Sequence, residues 1–596
     1  MSVVSSRVSS VASILKTPGS RSSLLNQPKR IRFKLPDDLK NVLLNFETDA
    51  YCQTYKDLVC ILRDSVLKDN ELLSLLTDIR QCISLLDERH KLLIEALLNI
   101  PWTNRSLEVT SAYKKFVEDL MCVHVYHSKF VMEKLILRLK PANASDPEWE
   151  DGKPRTEDVQ RLNHVHDILR KFLTVIPMSQ DLLLQVLTSA YPHISAGTHS
   201  HELYVYALLQ IVEYAPYLRR SILHLIVHRL VELDASASPS EIHAHEEDEM
   251  EEDNEINGAI FSLDDSTEKK LSTPQKRQPM KHPAARTLDA CIEQMFDYIH
   301  ETCHVDGKID VDSLRGVYND LLHIFEELIL PTCGHHVQFL LFYVCSFKVA
   351  VAEAFVKFLW QKVSNPNVPY FLRQQAVAYI VSLLARATFI PLSLLQGVLS
   401  EMAAWVHAYI CSQDMMECAN SDVRVHAVFF AICQGMFYLI AFRHKDMTNG
   451  KKNLLFLQGL NLNKIVSCRL NPLKVCQPAV VQNFAAVTRK YQLAYCYTVI
   501  EHNARNNLPI YQMGNVTTIT LDPFFPFDPY LLQWSEHRIS PLYYSSQCMT
   551  LSVESPKNNQ YEDEDDFMDE SFSTDSSSHS YVDKFSYGTS PGFIQT

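Results

Sequence analysis

Glycine is scarce, with 14 in 596 residues against an average usage of roughly 7%. Tight turns, phosphate cradles and strand bulges all draw on glycine, so the count points away from nucleotide-binding α/β folds and toward helices. The motif search agrees. Neither G-x-x-x-x-G-K nor G-x-G-x-x-G occurs, and there is no G-x-S-x-G turn to expose a nucleophilic serine. No catalytic residue, no cofactor and no enzymatic turnover are expected.

Paired C-x-x-C ligands are also missing, and zinc sites need such close, repeated spacing. Cys333, His335 and His336 form one isolated cluster, too little for a metal site. The stretch 306–312 faintly resembles a calcium loop. Aligning Gly307 with the loop glycine puts Thr302 first and Ser313 last, without the bidentate glutamate that calcium requires. The first 23 residues have no apolar run after their charges, so a secretory signal is not expected and a transit peptide stays open. One uncharged run, 425–442, has the minimum length of a membrane span. Gln434 and His426 interrupt it and nothing comparable surrounds it, so a central helix buried on all sides is expected, in a chain that does not enter membranes.

What the chain does have is apolar mass. Hydrophobic residues make up 46% and charged residues 21%, enough to offset the entropy of ordering most of it. The length exceeds one compact core, so a repeat array or two domains is expected. The formal charge of −14 is concentrated: residues 241–255 hold nine carboxylates and 561–570 hold seven, and without them the body is near neutral, about +2. Little direct DNA binding is expected of such a body. The 15 cysteines lack regular spacing, and Cys82, Cys345, Cys433 and Cys496 lie in apolar helical stretches, where a thiol packs as a small hydrophobe in a reducing compartment. His124, beside Cys122, and His426 are expected to be structural histidines rather than catalytic bases.

Apolar residues recur at helical spacing from Asp37 onward. Leu72, Leu76, Ile79, Ile83 and Leu86 form one stripe, with Asp78, Arg80, Asp87 and Arg89 off it. The pattern returns at 182–187, 203–212, 222–233, 292–299 and 321–330. Breaks are expected at Pro101, Pro177, Pro192, Pro216, Pro331, Pro369 and Pro391. Many intervals are one helical hairpin long. The expected fold is all-α, a HEAT-repeat superhelical solenoid with a disordered acidic loop and tails. The expected order is a flexible basic, Ser-rich N-terminus (1–35), one half of the solenoid (36–234), an acidic disordered linker (235–284), the second half (285–550) and an acidic Ser-rich tail (551–596). A polar loop is expected at 141–155.

Basic residues Lys29, Arg30, Arg32, Lys276 and Arg277 are candidates for nuclear import, with solvated charge as the equal alternative. Phosphorylation candidates are Ser262, Ser266, Ser571 and Ser573 beside the acidic blocks, and Thr17, Thr273, Ser555 and Ser590 before prolines. Each phosphate would add roughly 1.5–2 negative charges.

Several uninterrupted stretches carry a resemblance. They are Ile100-Pro-Trp-Thr-Asn-Arg-Ser106, His336-Val-Gln-Phe-Leu-Leu-Phe-Tyr-Val-Cys-Ser-Phe-Lys348, Ser382-Leu-Leu-Ala-Arg-Ala-Thr-Phe-Ile-Pro391 and Phe442-Arg-His-Lys445. Further along come Leu470-Asn-Pro-Leu-Lys-Val-Cys476, Lys490-Tyr-Gln-Leu-Ala-Tyr-Cys-Tyr-Thr-Val-Ile-Glu501 and Phe524-Phe-Pro-Phe-Asp-Pro529. In this order they resemble the RNA polymerase I-specific transcription initiation factor IA family over most of 30–545. The resemblance implies a helical-repeat adaptor that binds RNA polymerase I near its stalk, renders it competent to initiate, and bridges it to a promoter-bound core or selectivity factor. It also implies a nuclear and nucleolar location and tuning by protein kinases. Trp102, Asn104, Arg105 and Ser106 are the implied polymerase-binding candidates. Leu384, Ala385, Arg386 and Ala387 are the implied promoter-factor candidates, with Arg386 as the charged member and a helix terminus before Pro391 as the competing role. The family often has Lys where Thr388 stands. A homodimer through the C-terminal half stays open, as do the readings of a generic HEAT-type scaffold or a nuclear transport receptor.

Overall fold

The computed structural model describes residues 35–544 apart from 37, 66, 142–147, 150–151, 177, 245–279, 416–422, 506–510, 513–514, 517–520, 522–524 and 528. Thr17, Lys29, Arg30, Arg32, Ser262, Ser266, Thr273, Lys276, Arg277, Ser555, Ser571, Ser573 and Ser590 lie outside the described residues. The chain divides into two compact units at His124/Val125.

The first unit contains α1 (Leu39–Leu44), α2 (Asp49–Asp64), α3 (Asp69–Gln81), α4 (Lys91–Asn99) and α5 (Leu107–Val123). Asp38 starts α1 by accepting from the Asn41 amide at 3.1 Å, the usual role of an aspartate at a helix N-cap. The predicted stripe packs as expected at Leu72, Leu76 and Ile79, which are buried in α3. The helix stops at Gln81, however, and Ile83 lies in a short 3-10 turn (Ile83–Leu85). Leu86 is still buried, because a 3-10 turn repeats every three residues and keeps the apolar spacing of a helix. His124 is structural, its Nε2 lying 2.7 Å from the Ile83 carbonyl.

The second unit runs through α6 (Ser128–Leu137), α7 (Thr156–Val175), α8 (Ser179–Ala190), α9 (Thr198–Tyr214), α10 (Arg219–Ala235) and α11 (Pro283–Cys303). A hairpin, β1 (His304–Val305) and β2 (Lys308–Ile309), leads into α12 (Val311–Ile324). Asp306 and Gly307 both have positive φ, 51° and 72°, the pair of left-handed residues that a two-residue Asp-Gly hairpin turn requires. The stretch that faintly resembled a calcium loop is this turn, and Asp310 accepts from the Asp312 and Ser313 amides to cap α12.

A π-helical turn (Phe325–Ile329) follows α12, and Cys333 takes the left-handed conformation that ends the run near Pro331. Then come α13 (Phe339–Phe347), α14 (Val349–Ser364), α15 (Tyr370–Arg386), α16 (Leu392–Asp414) and α17 (Ala427–Phe442). Pro369 and Pro391 stand immediately before α15 and α16. Shorter helices close the unit: α18 (His444–Thr448), α19 (Lys451–Gly459), α20 (Leu462–Val466), α21 (Pro472–Val475), α22 (Pro478–Lys490), α23 (Cys496–Arg505) and α24 (Glu536–Ile539).

Neighbouring helices pack as an all-α array, and the only strands among the described residues are the β1–β2 hairpin and a second pair, Tyr511–Gln512 with Asn515–Val516. The uncharged run resolves as α17, buried along nearly its whole length between α15, α16 and α22. No described helix is long and apolar enough to cross a membrane. Its two polar interruptions are satisfied: the Gln477 amide donates to Gln434 Oε1 at 2.9 Å, and His426 pairs with the Tyr409 hydroxyl at 2.8 Å. Cys82, Cys345, Cys433 and Cys496 are buried and free.

The break at 124/125 falls inside the predicted first half, whereas the acidic segment lies inside the second unit. The helices on either side of that segment pack together, α11 against α9 and α10. The reason is a continuous apolar interface: Leu203, Leu208, Leu223 and Ile226 on one side and Leu288, Ile292 and Met295 on the other are all fully buried. A composition shift marks a surface insertion as readily as a domain boundary.

Candidate functional site

Two regions carry the predicted residues. In the first unit, the 100–106 turn joins α4 to α5. Trp102 is buried and stacks on Tyr113 at 4.7 Å with the rings 14° apart, and its carbonyl accepts from Thr110 Oγ1 at 3.2 Å. Trp102 therefore holds the turn from below and presents no side chain outward. Arg105 Nη1 donates to the Leu67 carbonyl at 2.7 Å and to Asp69 Oδ1 at 2.8 Å, which ties the turn to the start of α3. The Ser106 amide donates to the other oxygen of Asp69 at 3.3 Å. The Arg105 guanidinium and then the Ser106 hydroxyl hold the Asp69 carboxyl below its ordinary range.

Asn104 and Ser106 are exposed. Ser106 stands at the N-cap of α5 without capping it through its side chain. The next residue, Leu107, is 78% exposed, an apolar group at the lip of a polar turn. Neither Asp69 nor Leu107 was among the predicted residues. Asp69 is 36 positions from Arg105, and a leucine opening a helix reads as core.

In the second unit, α15 ends at Arg386 and the chain becomes extended at Ala387, in line with the helix-terminus role. Leu384, Ala385, Arg386 and Ala387 are all buried. Arg386, the charged member of the implied promoter-factor set, is 1% exposed. Its guanidinium lies 4.6 Å over the Phe442 ring and 5.4 Å from Tyr543, and Nη1 donates to the Tyr544 carbonyl at 3.0 Å. Burying a guanidinium is tolerable only with such an acceptor and ring faces around it. Thr388 is half-buried and donates its amide to the Leu542 carbonyl at 3.0 Å.

The partner of this edge is a C-terminal strap, residues 525–544. Ala387 and Tyr543 form an antiparallel bridge, and the Tyr544 amide donates to the Arg386 carbonyl at 2.7 Å. Phe527 is fully buried between Phe339, Phe342 and Tyr379, and its amide donates to Ser382 Oγ at 3.0 Å. Gln338 Nε2 donates to the Pro526 carbonyl. Asp289 on α11 accepts from the Trp534 amide at 2.7 Å and the Ser535 amide at 2.9 Å. Arg443 donates to the Leu384 carbonyl at 3.0 Å and lies 4.8 Å over Tyr544. Four of the recognisable stretches, those beginning at His336, Ser382, Phe442 and Phe524, thus meet at one strap.

The Cys333, His335, His336 cluster has a structural use. Asp234, at the end of α10, is fully buried and accepts from the His335 amide at 2.8 Å and the His336 amide at 3.0 Å, while its other oxygen faces His336 Nδ1 at 2.8 Å. Burial pushes the Asp234 carboxyl up, but the His336 ring and these amides outweigh it, and its pKa is lowered. Among the described residues no three His, Cys, Asp or Glu side chains converge as metal ligands would.

Comparison with known proteins gives a consistent picture. A family profile described as "RNA polymerase I specific transcription initiation factor RRN3" matches residues 38–548. The mouse RNA polymerase I-specific transcription initiation factor RRN3 is 36% identical over 578 residues, covering 91% of this chain and 87% of that protein. The rrn3 initiation factor of Schizosaccharomyces pombe is 25% identical over 495 residues, covering 79% of each chain. A crystal structure of RNA polymerase I transcription initiation factor Rrn3 matches with a TM-score of 0.68 at 19% identity, covering 86% of this chain and 98% of that one, and so shares the fold.

Proposed function

Because this chain belongs to the RRN3 family of RNA polymerase I-specific transcription initiation factors, we propose that it binds RNA polymerase I, renders it initiation-competent and bridges it to a promoter-bound core or selectivity factor. It works by docking rather than by turnover, in the nucleus and nucleolus. Protein kinases acting on its acidic segments tune it, and the polymerase contact lies near the stalk of the enzyme.

The observation that carries the polymerase contact is the 104–107 lip. Exposed Asn104 and Ser106 sit beside the 78%-exposed Leu107, on a turn fixed from beneath by Trp102 and from the side by the Arg105–Asp69 pair. An interface needs such a rigid, partly apolar, partly polar edge. The promoter-factor contact is assigned to the surface over the 384–388 edge, where the strap, and not the buried Arg386, meets solvent.

A phosphate or carboxylate at Ser106 would stand next to Asp69 and draw Arg105 away from it. Ser106→Asp should therefore weaken retention of polymerase I by the purified full chain about tenfold or more, and Leu107→Ala should weaken it less. An unchanged dissociation constant for Ser106→Asp would remove this lip from the interface. No retention of the polymerase by the unaltered protein would overturn the adaptor reading.

A further inference from the structure

The near-neutral average of the folded body hides a segregation. Residues 443–505 contain ten Lys and Arg and only two carboxylates, Asp446 and Glu501. Both acids face cations of the same segment: Asp446 pairs with Arg443 at 2.7 Å, and Glu501 lies 3.8 Å from Arg505. Five of the exposed cations, Lys445, Lys451, Lys452, Arg489 and Lys490, are gathered around the C-terminal end of α22. Lys445 and Lys490 both bear on the His444 ring, where burial and then their charge lower its pKa. Thr448 Oγ1 donates to the Tyr491 hydroxyl at 3.1 Å, joining α18 to the residue after Lys490. Asn453 Nδ2 donates to the Asp446 carbonyl at 3.2 Å, which brings Lys451 and Lys452 to the same neighbourhood. Arg489 lies 5.4 Å over the Tyr497 ring, and Tyr495 is 80% exposed. The face combines positive charge with uncovered aromatic surface.

The described chain stops at Tyr544, and Tyr544 lies under Arg443, two residues from Lys445. The last described residue therefore lies at the lip of this basic face. Seventeen residues separate Tyr544 from Glu562, a span of up to about 55–60 Å when extended. The run that follows, 562–570, holds seven carboxylates together with Phe567 and Met568.

We propose that this acidic run docks on the basic face of its own chain, its carboxylates against Lys445, Lys451, Lys452, Arg489 and Lys490 and Phe567 against Tyr495 and Tyr497. The tether sets an effective concentration on the order of millimolar, so contacts too weak to hold a free peptide keep the face covered. The other acidic block, 241–255, lacks an aromatic residue and follows α10 rather than the strap. Phosphates on Ser571 and Ser573 would add roughly 1.5–2 negative charges each and tighten that contact. Any polyanionic partner of the face must displace the tail.

The test uses the full chain and no polymerase, so its outcome is separate from the adaptor reading. Carbodiimide joins amines to carboxylates in direct contact. Below about 0.1 M salt, where surface charges are least screened, the monomer should yield links from residues 562–570 to Lys445, Lys451, Lys452 or Lys490, and these should fade at high salt. A variant with the seven tail carboxylates changed to their amides leaves the folded body untouched. It should bind a labelled single-stranded oligodeoxythymidine about tenfold more tightly than the unaltered chain. Adding Lys445→Glu, Arg489→Glu and Lys490→Glu should abolish that gain. Absence of such links, or links only in a dimer fraction, overturns the proposal. Equal oligonucleotide affinity with and without the acidic run overturns it as well, the latter result giving the face to nucleic acid.

Discussion

At the scale of single residues, the charged side chains that the sequence makes conspicuous are mostly fasteners. The family resemblance implies Arg386 as the charged promoter-factor contact, yet its guanidinium donates to the Tyr544 carbonyl, 158 positions away. No local pattern could reveal that pairing. Asp234 and Asp289 are the anionic counterparts, both buried, with opposite titration. For Asp234, whose carboxyl is held below its ordinary range, the stabilising contribution is present above the unfolded-state value near roughly 3.9 and is lost as pH falls through the folded-state value. For Asp289, burial raises the carboxyl more than the Ser535 and Trp534 donors lower it. Its contribution is therefore fullest below the unfolded value and declines as pH rises through the folded one. Asp289→Asn should remove that decline from the stability of the second unit, measured by urea unfolding across the acidic range; an unchanged profile would show that Asp289 does not titrate in this way. Asp234→Ala leaves a buried ring and the His335, His336 and Val337 amides without their acceptor and should cost about 3–5 kcal/mol, read from the same curves at neutral pH.

At the scale of elements, the helices were legible wherever burial follows a 3.6-residue period, as in α3, α9 and α10, and where proline sets the break, as at α15 and α16. Two kinds of element escaped. The 3-10 turn after α3 repeats its apolar residues at a spacing that a helix also allows. The strap has almost no periodicity, because its residues are held one at a time by Asp289, Ser382 and Gln338. One tight helix contact shows what sequence spacing cannot express. Gly435 in α17 faces α15, and a methyl group there would stand 2.5 Å from Val381 Cγ2 and 3.4 Å from Val377 Cγ1. Both neighbours are β-branched and stiff at χ1. Gly435→Ala gains up to about 1 kcal/mol of helix propensity but overpacks a tight interface, which costs about 1–3 kcal/mol. A net loss is expected, seen as a lower thermal midpoint. Val381→Ala should recover much of it by opening the space, whereas a stabilised Gly435→Ala protein would mean the two helices can part without cost.

At the scale of the whole molecule, the all-α class follows from the low glycine count and the helical spacing. The acidic segment is conspicuous in composition, but domain identity is decided by which apolar faces meet, and α11 meets α9 and α10 across that segment. The division into compact units at 124/125 coincides with no charge run and no proline or glycine. This difference has a measurable consequence. If the two units are separate cores, a cavity in one should loosen that unit alone. Trp102→Ala removes a buried ring stacked on Tyr113 and should cost about 3–5 kcal/mol, lowering hydrogen-exchange protection across α3, α4 and α5. Protection of α9, α11 and α15 should stay as it was. Phe527→Ala, with a comparable cavity among Phe339, Phe342 and Tyr379, should do the reverse and loosen α11, α13 and α15 while sparing α3 to α5. Division at the acidic segment predicts another pattern, in which Trp102→Ala loosens helices up to α10 and Phe527→Ala stops at α11. The behaviour of α9 and α10 decides between the two: they should follow α11 in the Phe527→Ala protein, because the buried leucines and isoleucines they share with it form one core.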